Sequence, residues 1–380
     1  VGSRAPGSGG LMSGAMRVAL LTSARSWRGS GVSLGKIGAG LAARGHQVCA
    51  YTGEPSVAEG FAGSGLQVGH TPTRDTGFRE IRGFRHRLRE FEPDAVIVDK
   101  LRDLRLAGWG SLGLGVAILY RYNISTFGTP PRLTDRLVLL ARTRMCLFQA
   151  EAVRDHALAR TPALRRLPSR VVYNGYDPDR YRPDPDAGAR FRAAHGIAPG
   201  RLIVVTVSAL ERSKGQDLAL QALQRLAGDG VDPVYVLVGD GKHAVQMRER
   251  ARHSGVTTIF TGFLRGAQVL DALNAADVYL HPAREEIFPN AIAEAMACAR
   301  PVIATRVGGV PELLGADGEA GLLVPLEDVA ALAAALGRCA AEPELRARLG
   351  QAGRSRIETR FPISAMVDGY ERAVQAAVGS

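Results

Sequence analysis

The segment DVYLHPAREEIFPNAIAEAMACARPVIAT, residues 277–305, carries the clearest indication of the fold. It opens with an apolar run, DVYLHP (277–282), which is typical of a buried strand, and it ends with a second run, PVIAT (301–305). Between them Pro289 can start a helix, and NAIAEAMACA (290–299) has the composition of a buried or half-buried helix. Two buried strands joined by a helix predict neighbouring strands of a parallel sheet.

The same alternation of apolar runs and helical segments extends along the chain. Further strands are predicted at 16–22, 47–51, 94–99, 115–120, 145–150, 169–174, 201–208, 233–240 and 257–262. The alternation is broken at YNGYDPDRYRPDPDAG (173–188), which is rich in Pro and Asp and lies near the midpoint, as a hinge would. We therefore predict two doubly wound α/β domains joined by a hinge, with ligands at the carboxyl ends of the strands.

Composition restricts the class of protein. The 380 residues are 46% hydrophobic and 22% charged, as in ordinary soluble globular proteins. The four cysteines are scattered without C-x-x-C pairing, which favours a reducing, cytoplasmic location. The longest uncharged apolar stretch, 106–120, has 15 residues and is too short to span a bilayer. Residues 1–15 are rich in Gly and Ser and lack the apolar stretch of a signal peptide, so we expect a disordered leader.

The basic charge is concentrated in the first half. The net charge is +11; residues 1–176 hold 25 Lys and Arg against 12 Asp and Glu, or +13, and the remainder holds 23 against 25, or −2. This asymmetry indicates an anionic partner for the first half, but an Arg-rich composition would also explain it, since 44 of the 48 basic residues are Arg.

Residues 78–91, FREIRGFRHRLREF, form the most basic candidate helix. Two hypotheses stay open: a basic amphipathic helix that contacts anionic membrane or an anionic acceptor, or an ordinary domain helix with a solvated Arg face. The basic residues are not interleaved with stacking aromatic side chains, and we expect no nucleic-acid partner.

The second half holds the candidate site. Glu286 follows one predicted strand and Glu294 lies within the helix after it, while Arg212 and Lys214 follow another strand. A helix N-terminus suits a phosphate, carboxylates accept hydrogen bonds from hydroxyl groups, and two cations can neutralise a diphosphate leaving group. A nucleotide-sugar, with a diphosphate between two hydroxyl-bearing rings, matches this pattern. The Gly-rich turn VGDGK (238–242) is predicted to lie on a neighbouring strand end.

Residues 201–361 resemble the nucleotide-sugar domain of retaining GT-B glycosyltransferases, in particular glycosyltransferase family 4, the glycosyl transferases group 1. The resemblance rests on SALERSKGQDLALQAL (208–223), VGDG (238–241), TGFL (261–264), residues 276–314 and GLLVPLED (321–328). Glu286 and Glu294 match the family's E-x7-E signature. The implied fold is GT-B, with two Rossmann-like domains facing across a cleft.

The resemblance also implies roles for individual residues. Glu286 would bind the donor sugar, Glu294 the ribose, and Lys214 the diphosphate, with Arg212 and Arg121 as further catalytic candidates. Many relatives have an arginine where this chain has Ala209, so Arg212 would supply that charge from another backbone position. The remaining donor-binding candidates are Gly29, Gly31, Gly239, Gly241, Gly262, Phe263, Leu264, Ile287, Phe288, Pro289 and Asn290.

The first half resembles the acceptor-binding domain of the same family, through GSGVSLGKIGAGLAARGHQV (29–48) and YNGYDPDRYRP (173–183). The implied domains are an acceptor-binding domain at 16–176, joined by a returning helix at 363–380, and a donor-binding domain at 177–362. Family members with a histidine after the strand GVAILY (115–120) differ from this chain, which has Arg121 there. That histidine would serve as a general base, and this chain lacks it. We therefore expect a front-face mechanism without a histidine base and without a metal or other cofactor.

The function implied is transfer of a sugar from a nucleoside-diphosphate sugar to a hydroxyl acceptor. The acceptor expected first is a lipid-linked or cell-surface saccharide. A natural-product acceptor and another GT-B reaction, such as an epimerase, are the alternatives. A dehydrogenase would need G-x-G-x-x-G directly after a first strand, and neither candidate strand is followed by one. A cytoplasmic protein, with peripheral contact to the inner face of the membrane as one option, is expected.

Overall fold

The structure is a computed structural model that describes residues 14–71, 76–123, 133–315 and 319–379. All but the last two residues of the expected leader, 1–15, lie outside these ranges. None of the described helices combines the length and the apolar composition that a bilayer-spanning segment needs.

The first domain is built on a parallel sheet of seven described strands: β1 (Arg17–Leu21), β2 (Gln47–Thr52), β3 (Gln67–His70), β4 (Ala95–Val98), β5 (Ala117–Arg121), β6 (Met145–Phe148) and β7 (Ser169–Val171). Their order across the sheet is β3-β2-β1-β4-β5-β6-β7. The helices of this domain are α1 (Gly29–Ala43), α2 (Pro55–Gly63), α3 (Phe78–Phe91), α4 (Leu101–Gly110), α5 (Leu133–Arg142) and α6 (Glu151–Arg160).

The second domain has a parallel sheet of six described strands: β8 (Leu202–Val207), β9 (Pro233–Val238), β10 (Thr257–Gly262), β11 (Val278–His281), β12 (Val302–Thr305) and β13 (Leu322–Val324). Their order is β10-β9-β8-β11-β12-β13. Its helices are α7 (Pro185–Ala194), α8 (Gln216–Gly228), α9 (Ala244–Arg252), α10 (Ala267–Ala275), α11 (Asn290–Ala297), α12 (Val310–Leu314), α13 (Val329–Ala341) and α14 (Pro343–Arg360), followed by α15 (Ile363–Val378).

The two sheets confirm the prediction of two doubly wound α/β domains. The central strands β4, β6, β9, β11 and β12 are buried along their whole length, which explains their continuous apolar sequences. Two strands were absent from the sequence prediction. Both are short edge strands: β3 (QVGH) has no apolar run and is not fully buried at any position, whereas β13 (LLV) is apolar but only three residues long.

The chain crosses between the domains twice, and the two crossings lie side by side. The Tyr176 amide donates to the Phe361 carbonyl at 2.9 Å, and the Ile363 amide donates to the Tyr176 carbonyl at 3.0 Å. Helix α15 then packs on the first domain, where Gly40 of α1 fits against it so closely that a Cβ there would lie 2.2 Å from Val367 Cγ2. The last helix therefore belongs structurally to the first domain.

Glu312 of α12 ties the second domain to the first. Its carboxylate accepts hydrogen bonds from the amides of Glu151 and Ala152, at 2.8 and 2.7 Å, and from the Tyr173 hydroxyl at 2.8 Å. The two amides belong to the first turn of α6, where backbone N–H groups lack partners within the helix. A side chain of one domain therefore caps a helix of the other.

Candidate active site

The candidate site lies at the topological switch point of the second sheet. Strand β8 and strand β11 are neighbours there, and the chain leaves them in opposite directions. Their carboxyl-terminal loops therefore diverge and leave a crevice, which is where open α/β sheets bind ligands. Lys214 follows β8 and Glu286 follows β11. The sheet order thus brings together two side chains that are 72 residues apart in the sequence.

Glu286 is held by two donors. The Lys214 Nζ lies 2.5 Å from Glu286 Oε1, and His281 Nε2 lies 2.9 Å from the same oxygen. Burial raises the pKa of Glu286, but the Lys214 charge and the His281 hydrogen bond outweigh it and lower the pKa to about 2. The carboxylate is therefore ionised at neutral pH. Neither contact uses Oε2, so that oxygen can accept a hydrogen bond from a ligand.

Arg284 fixes the loop that carries Glu286. Its guanidinium binds both carboxylate oxygens of Asp217 in α8, at 2.8 and 3.0 Å, and donates to the carbonyl of Arg212 at 2.8 Å. The Arg284 amide also donates to the Ser213 carbonyl at 2.7 Å. Burial raises the pKa of Asp217, but the Arg284 contacts lower it overall. This bidentate pair locks the loop after β11 against the loop after β8.

The N-terminus of α11 opens into the same cleft. Pro289 is its N-cap residue, and no side chain caps the helix there. Its first amide groups are thus available to an anion. Phe288 is buried and packs against Tyr173 and Phe361, with ring centroids 5.4 and 5.5 Å away. Residues 287–290 can therefore contact a ligand mainly through their backbone groups, as predicted for a binding role.

Glu294 lies one helical turn after Asn290 and has no cation at hydrogen-bond distance among the described residues. Burial raises its pKa above the usual value, and attraction to Lys36 and hydrogen bonding with Tyr181 only partly offset that effect. The two glutamates of the cleft thus differ in electrostatic environment. Lys36 belongs to α1 of the first domain.

Glycines allow the loops of the second domain to approach each other. A Cβ on Gly239 would lie 2.0 Å from the Ser208 carbonyl oxygen, and one on Gly241 would lie 2.5 Å from the Leu210 carbonyl oxygen. These two positions are therefore required for packing of the loop after β9 against the loop after β8. Phe263, 43% exposed, lies in the loop after β10, and the Arg28 guanidinium of the first domain lies 4.4 Å from its ring centroid.

Arg121 has partners within the protein. Its Nε donates to the Tyr370 hydroxyl and its Nη2 donates to Asn174 Oδ1, both at 3.0 Å. Asn174 in turn donates to Asn290 Oδ1 at 3.1 Å, and so does the Tyr176 hydroxyl at 2.9 Å. This network joins β5, α15 and the first crossing between the domains (residues 173–183, the crossing segment) to the first residue of α11. Arg121 is 3% exposed and one edge of it reaches the cleft.

The cleft between the domains has a volume of about 960 Å³. Twelve of the predicted site residues line it: Gly29, Arg121, Lys214, Gly239, Phe263, Leu264, Glu286, Ile287, Phe288, Pro289, Asn290 and Glu294. Four do not: Gly31, Arg212, Gly241 and Gly262. Arg212 is exposed on a short 3-10 turn, so the geometry gives no support to its predicted contact with a diphosphate. Gly31 lies against Trp27 instead.

Three residues that the structure places in or beside the cleft were not among the predicted site residues, although the end of the predicted strand DVYLHP (277–282) put one of them, His281, next to the cleft. His281 holds Glu286, Lys36 faces Glu294, and Arg28 covers Phe263. Lys36 left a signal in the sequence, because it is the single charged residue of α1, GSGVSLGKIGAGLAA. A charged side chain in an otherwise apolar helix is seldom buried unless it is paired with another group. For Arg28 no such signal exists, since it lies in an exposed, polar stretch.

Solved structures share this two-domain architecture. Alr3699/HepE from Anabaena, in complex with UDP-glucose, matches with a TM-score of 0.85 and 19% sequence identity over 95% of this chain and 100% of that chain. The fold is therefore GT-B, the class of glycosyltransferases in which two such domains face each other across a cleft.

Two family models match the sequence in succession. Residues 27–180 match Glycosyltransferase Family 4, and residues 189–356 match Glycosyl transferases group 1. Together the matches account for most of the chain, which belongs to the glycosyltransferases that combine these two domains. The predicted family is thereby confirmed.

Curated relatives match over part of their length. A GDP-mannose-dependent alpha-(1-6)-phosphatidylinositol monomannoside mannosyltransferase from Mycolicibacterium smegmatis is 38% identical over 208 residues, which are 52% of this chain and 52% of the relative. A D-inositol 3-phosphate glycosyltransferase from Saccharomonospora viridis is 33% identical over 228 residues, 56% of this chain and 52% of the relative. The match with each spans about half the relative's length.

Proposed function

We propose that this protein transfers a sugar from a nucleoside-diphosphate sugar to a hydroxyl group of an acceptor, with retention of anomeric configuration. The observation that carries the proposal is the position of the Glu286 carboxylate, which Lys214 and His281 hold beside the open N-terminus of α11. A carboxylate there can accept hydrogen bonds from sugar hydroxyls, while the helix amides and Lys214 attract a diphosphate.

In the proposed reaction the bond between the anomeric carbon and the diphosphate oxygen breaks. The bond from that carbon to the acceptor oxygen forms on the same face of the sugar, and the acceptor proton passes to the departing diphosphate oxygen. Lys214 and the first amides of α11 stabilise the negative charge that develops on the diphosphate. Glu286 Oε2 orients the sugar through its hydroxyls. Arg284 acts through Asp217 as a positioning residue, because it fixes the loop that carries Glu286.

The proposal includes independence from a metal. Lys214 and the α11 N-terminus would supply the positive charge that a divalent cation provides in other transferases. Turnover is expected to be unchanged by EDTA and by added Mg²⁺ or Mn²⁺. A loss of activity in EDTA that either cation restores would contradict this part of the proposal.

The direct test is an assay of nucleoside-diphosphate release from a panel of nucleotide-sugars, with product configuration determined by proton NMR of the anomeric coupling. GDP-mannose and UDP-glucose are the first donors to test, because relatives are described with these ligands. Release that depends on an acceptor, with a product of the donor's configuration, is expected. An inverted product, or binding of donors without transfer to any acceptor, would contradict the proposal.

We propose a lipid-linked or cell-surface saccharide as the acceptor. The mannosyltransferase relative acts, by its name, on a phosphatidylinositol monomannoside, and the first domain of this chain carries the basic excess. A small soluble acceptor is the second candidate, favoured by the relative named for D-inositol 3-phosphate. Parallel assays with a phosphatidylinositol mannoside in detergent and with inositol phosphates decide between them, and epimerisation of the donor alone would favour neither.

The proposal places the protein at the inner face of a membrane through α3. Phe84 and Leu88 of this helix are buried in the domain, so its apolar face is largely used for packing. Phe78 remains 80% exposed, Arg82 is exposed one turn further, and Trp109 nearby is 48% exposed. Co-sedimentation with vesicles containing phosphatidylglycerol, but not with pure phosphatidylcholine, is expected, and the double change Phe78→Ser with Arg82→Glu should weaken it. Equal sedimentation with both vesicle types would leave α3 as an ordinary domain helix with a solvated Arg face.

A further inference from the structure

Lys36 is a cation that the first domain directs toward the donor side of the cleft. It is the only charged side chain of α1, is half-buried, and lines the cleft together with Glu294 and Asn290. Helices α1 and α11 are close at this point, because Asn290 Nδ2 lies 3.5 Å from the hydroxyl of Ser33, one turn before Lys36. Lys36 therefore reaches the neighbourhood of the predicted ribose-binding glutamate from the opposite domain.

The ammonium group of Lys36 lies over two aromatic rings. Its Nζ is 4.9 Å from the ring centroid of Tyr176 and 5.7 Å from that of Tyr181, and both tyrosines belong to the crossing segment. Aromatic faces attract a cation, but they do not replace the oxygen acceptors that an ammonium group has in water. Within the described ranges no oxygen accepts a hydrogen bond from Lys36. Burial lowers its pKa, and Glu294 attracts it from across the cleft.

Glu294 does not close an ion pair with Lys36. The carboxylate interacts with the Tyr181 hydroxyl, while Lys36 and, more weakly, Arg180 act on it through longer-range attraction. The space between a cation and a carboxylate that face each other without pairing suits a group with both hydroxyl and anionic oxygen atoms. Ribose bound to phosphate is such a group: its hydroxyls can donate to the carboxylate, and its oxygens can accept from the ammonium.

Resting on the proposed function, we propose that Lys36 binds the ribose–phosphate portion of the nucleotide donor. The donor site is then completed by a cation from the first domain, in addition to Lys214 of the second. Nucleotide binding at Lys36 and Glu294 together would link α1 to α11 and stabilise the closed arrangement of the two domains. Lys36 is thus a donor-affinity residue that lies outside the group 1 domain match, 189–356.

Isothermal titration calorimetry with UDP, GDP, ADP and dTDP tests this proposal on the full chain. For the nucleotide that the wild type binds most tightly, Lys36→Met is expected to weaken affinity by roughly 10- to 100-fold, since hydrogen bonds to charged groups contribute about that much. Lys36→Arg keeps the charge and is expected to retain more affinity than Lys36→Met. Lys242→Met, at an exposed lysine that does not line the cleft, is the matched control and should bind like the wild type.

Circular dichroism and the melting temperature establish that each variant is folded, and Lys36→Gln serves if Lys36→Met is not. Wild-type affinity in the folded neutral variant would overturn the role of Lys36 and leave the proposed function intact. Equal losses in Lys36→Met and Lys36→Arg would also overturn it, because they would show a packing effect and not a charge effect. If the wild type binds none of the four nucleotides, the proposed function itself fails.

Discussion

The two glutamates of the cleft have the same chemistry but opposite electrostatic environments. Glu286 has Lys214 and His281 within 2.9 Å of one oxygen, and its pKa is lowered to about 2. Glu294, eight positions later, has no cation at hydrogen-bond distance in the described part of the chain, and burial raises its pKa. The sugar end of the proposed site is therefore pre-organised within one domain, whereas the cations that attract Glu294 at the ribose end are Lys36 of the first domain and Arg180 of the hinge.

Sequence spacing alone does not assign a carboxylate its role. Both glutamates are predicted by one motif, yet the neighbours that determine their charge come from distant segments. Lys214 lies at the end of β8 and reaches Glu286 because β8 and β11 are adjacent at the switch point. Lys36 reaches Glu294 only because the two domains face each other.

The largest expected effect is on catalysis by Glu286→Gln. The amide cannot provide the ionised oxygen that orients the sugar and balances Lys214, so kcat/KM should fall by roughly 100- to 1,000-fold, as for other lost electrostatic contacts in active sites. Steady-state release of nucleoside diphosphate measures it. Glu249→Gln, at an exposed glutamate of α9, is the control and should keep full activity. Undiminished turnover in Glu286→Gln would remove this residue from the mechanism.

The next largest effect is expected on the stability of the folded protein at acid pH, to which Glu286 and Glu294 should contribute with opposite signs. Because the pKa of Glu286 falls from 4.5 to about 2 on folding, it contributes roughly 3 kcal/mol above pH 4.5, and that contribution is lost as the pH falls toward 2. In Glu286→Gln the melting temperature should therefore change less than in the wild type between pH 4.5 and 2. Calorimetry across this range checks it, and parallel wild-type and variant curves would contradict the assigned pKa.

The contribution of Glu294 to the free energy of unfolding should depend on pH in the opposite direction. A carboxyl group with a raised pKa stabilises the folded state below the unfolded pKa, and this contribution is lost as the pH rises through the folded pKa. Glu294→Gln, which mimics the neutral form, should therefore melt at a higher temperature than the wild type at pH 7 without nucleotide. A lower melting temperature at pH 7 would mean that Glu294 is stabilised as an anion, as Glu286 is.

The smallest effect concerns the tie between the domains. Glu312→Gln loses the charge that caps α6, and the expected cost is about 1 kcal/mol, typical of an N-terminal cap. A fall of a few degrees in melting temperature is expected, and a smaller one for Glu344→Gln, at an exposed glutamate in the first turn of α14 within one domain. Equal shifts in the two variants would show that the cap between the domains stabilises the protein no more than an ordinary glutamate in the first turn of a helix.

The sequence was most informative where local pattern determines structure. Apolar runs separated by helices predicted the two parallel sheets, and loops after strands predicted that Lys214, Glu286 and Glu294 share a cleft. The short edge strand β3 was missed because it lacks an apolar run. Glycines such as Gly241 were assigned to ligand binding, whereas the structure shows that they are needed for close approach of loops.

Side-chain partners were predictable only when they lie near in the sequence. Arg121 was predicted as a catalytic candidate and lines the cleft, but its hydrogen bonds to Tyr370, 249 residues away, and to Asn174 were not predicted. No periodicity reports a contact across such a separation. Arg212 was placed beside Lys214 by proximity in sequence, yet the 3-10 turn directs it to solvent. Its catalytic role remains a prediction without geometric support.

The proposed function depends on binding of the diphosphate of a nucleotide donor by Lys214 and the N-terminus of α11. Calorimetric titration of UDP, GDP, ADP and dTDP into the wild type and into Lys214→Met tests it most directly. We predict that at least one nucleotide binds the wild type and that the substitution abolishes or strongly weakens this binding. Absence of binding to the wild type, or unchanged affinity in Lys214→Met, would contradict the claim.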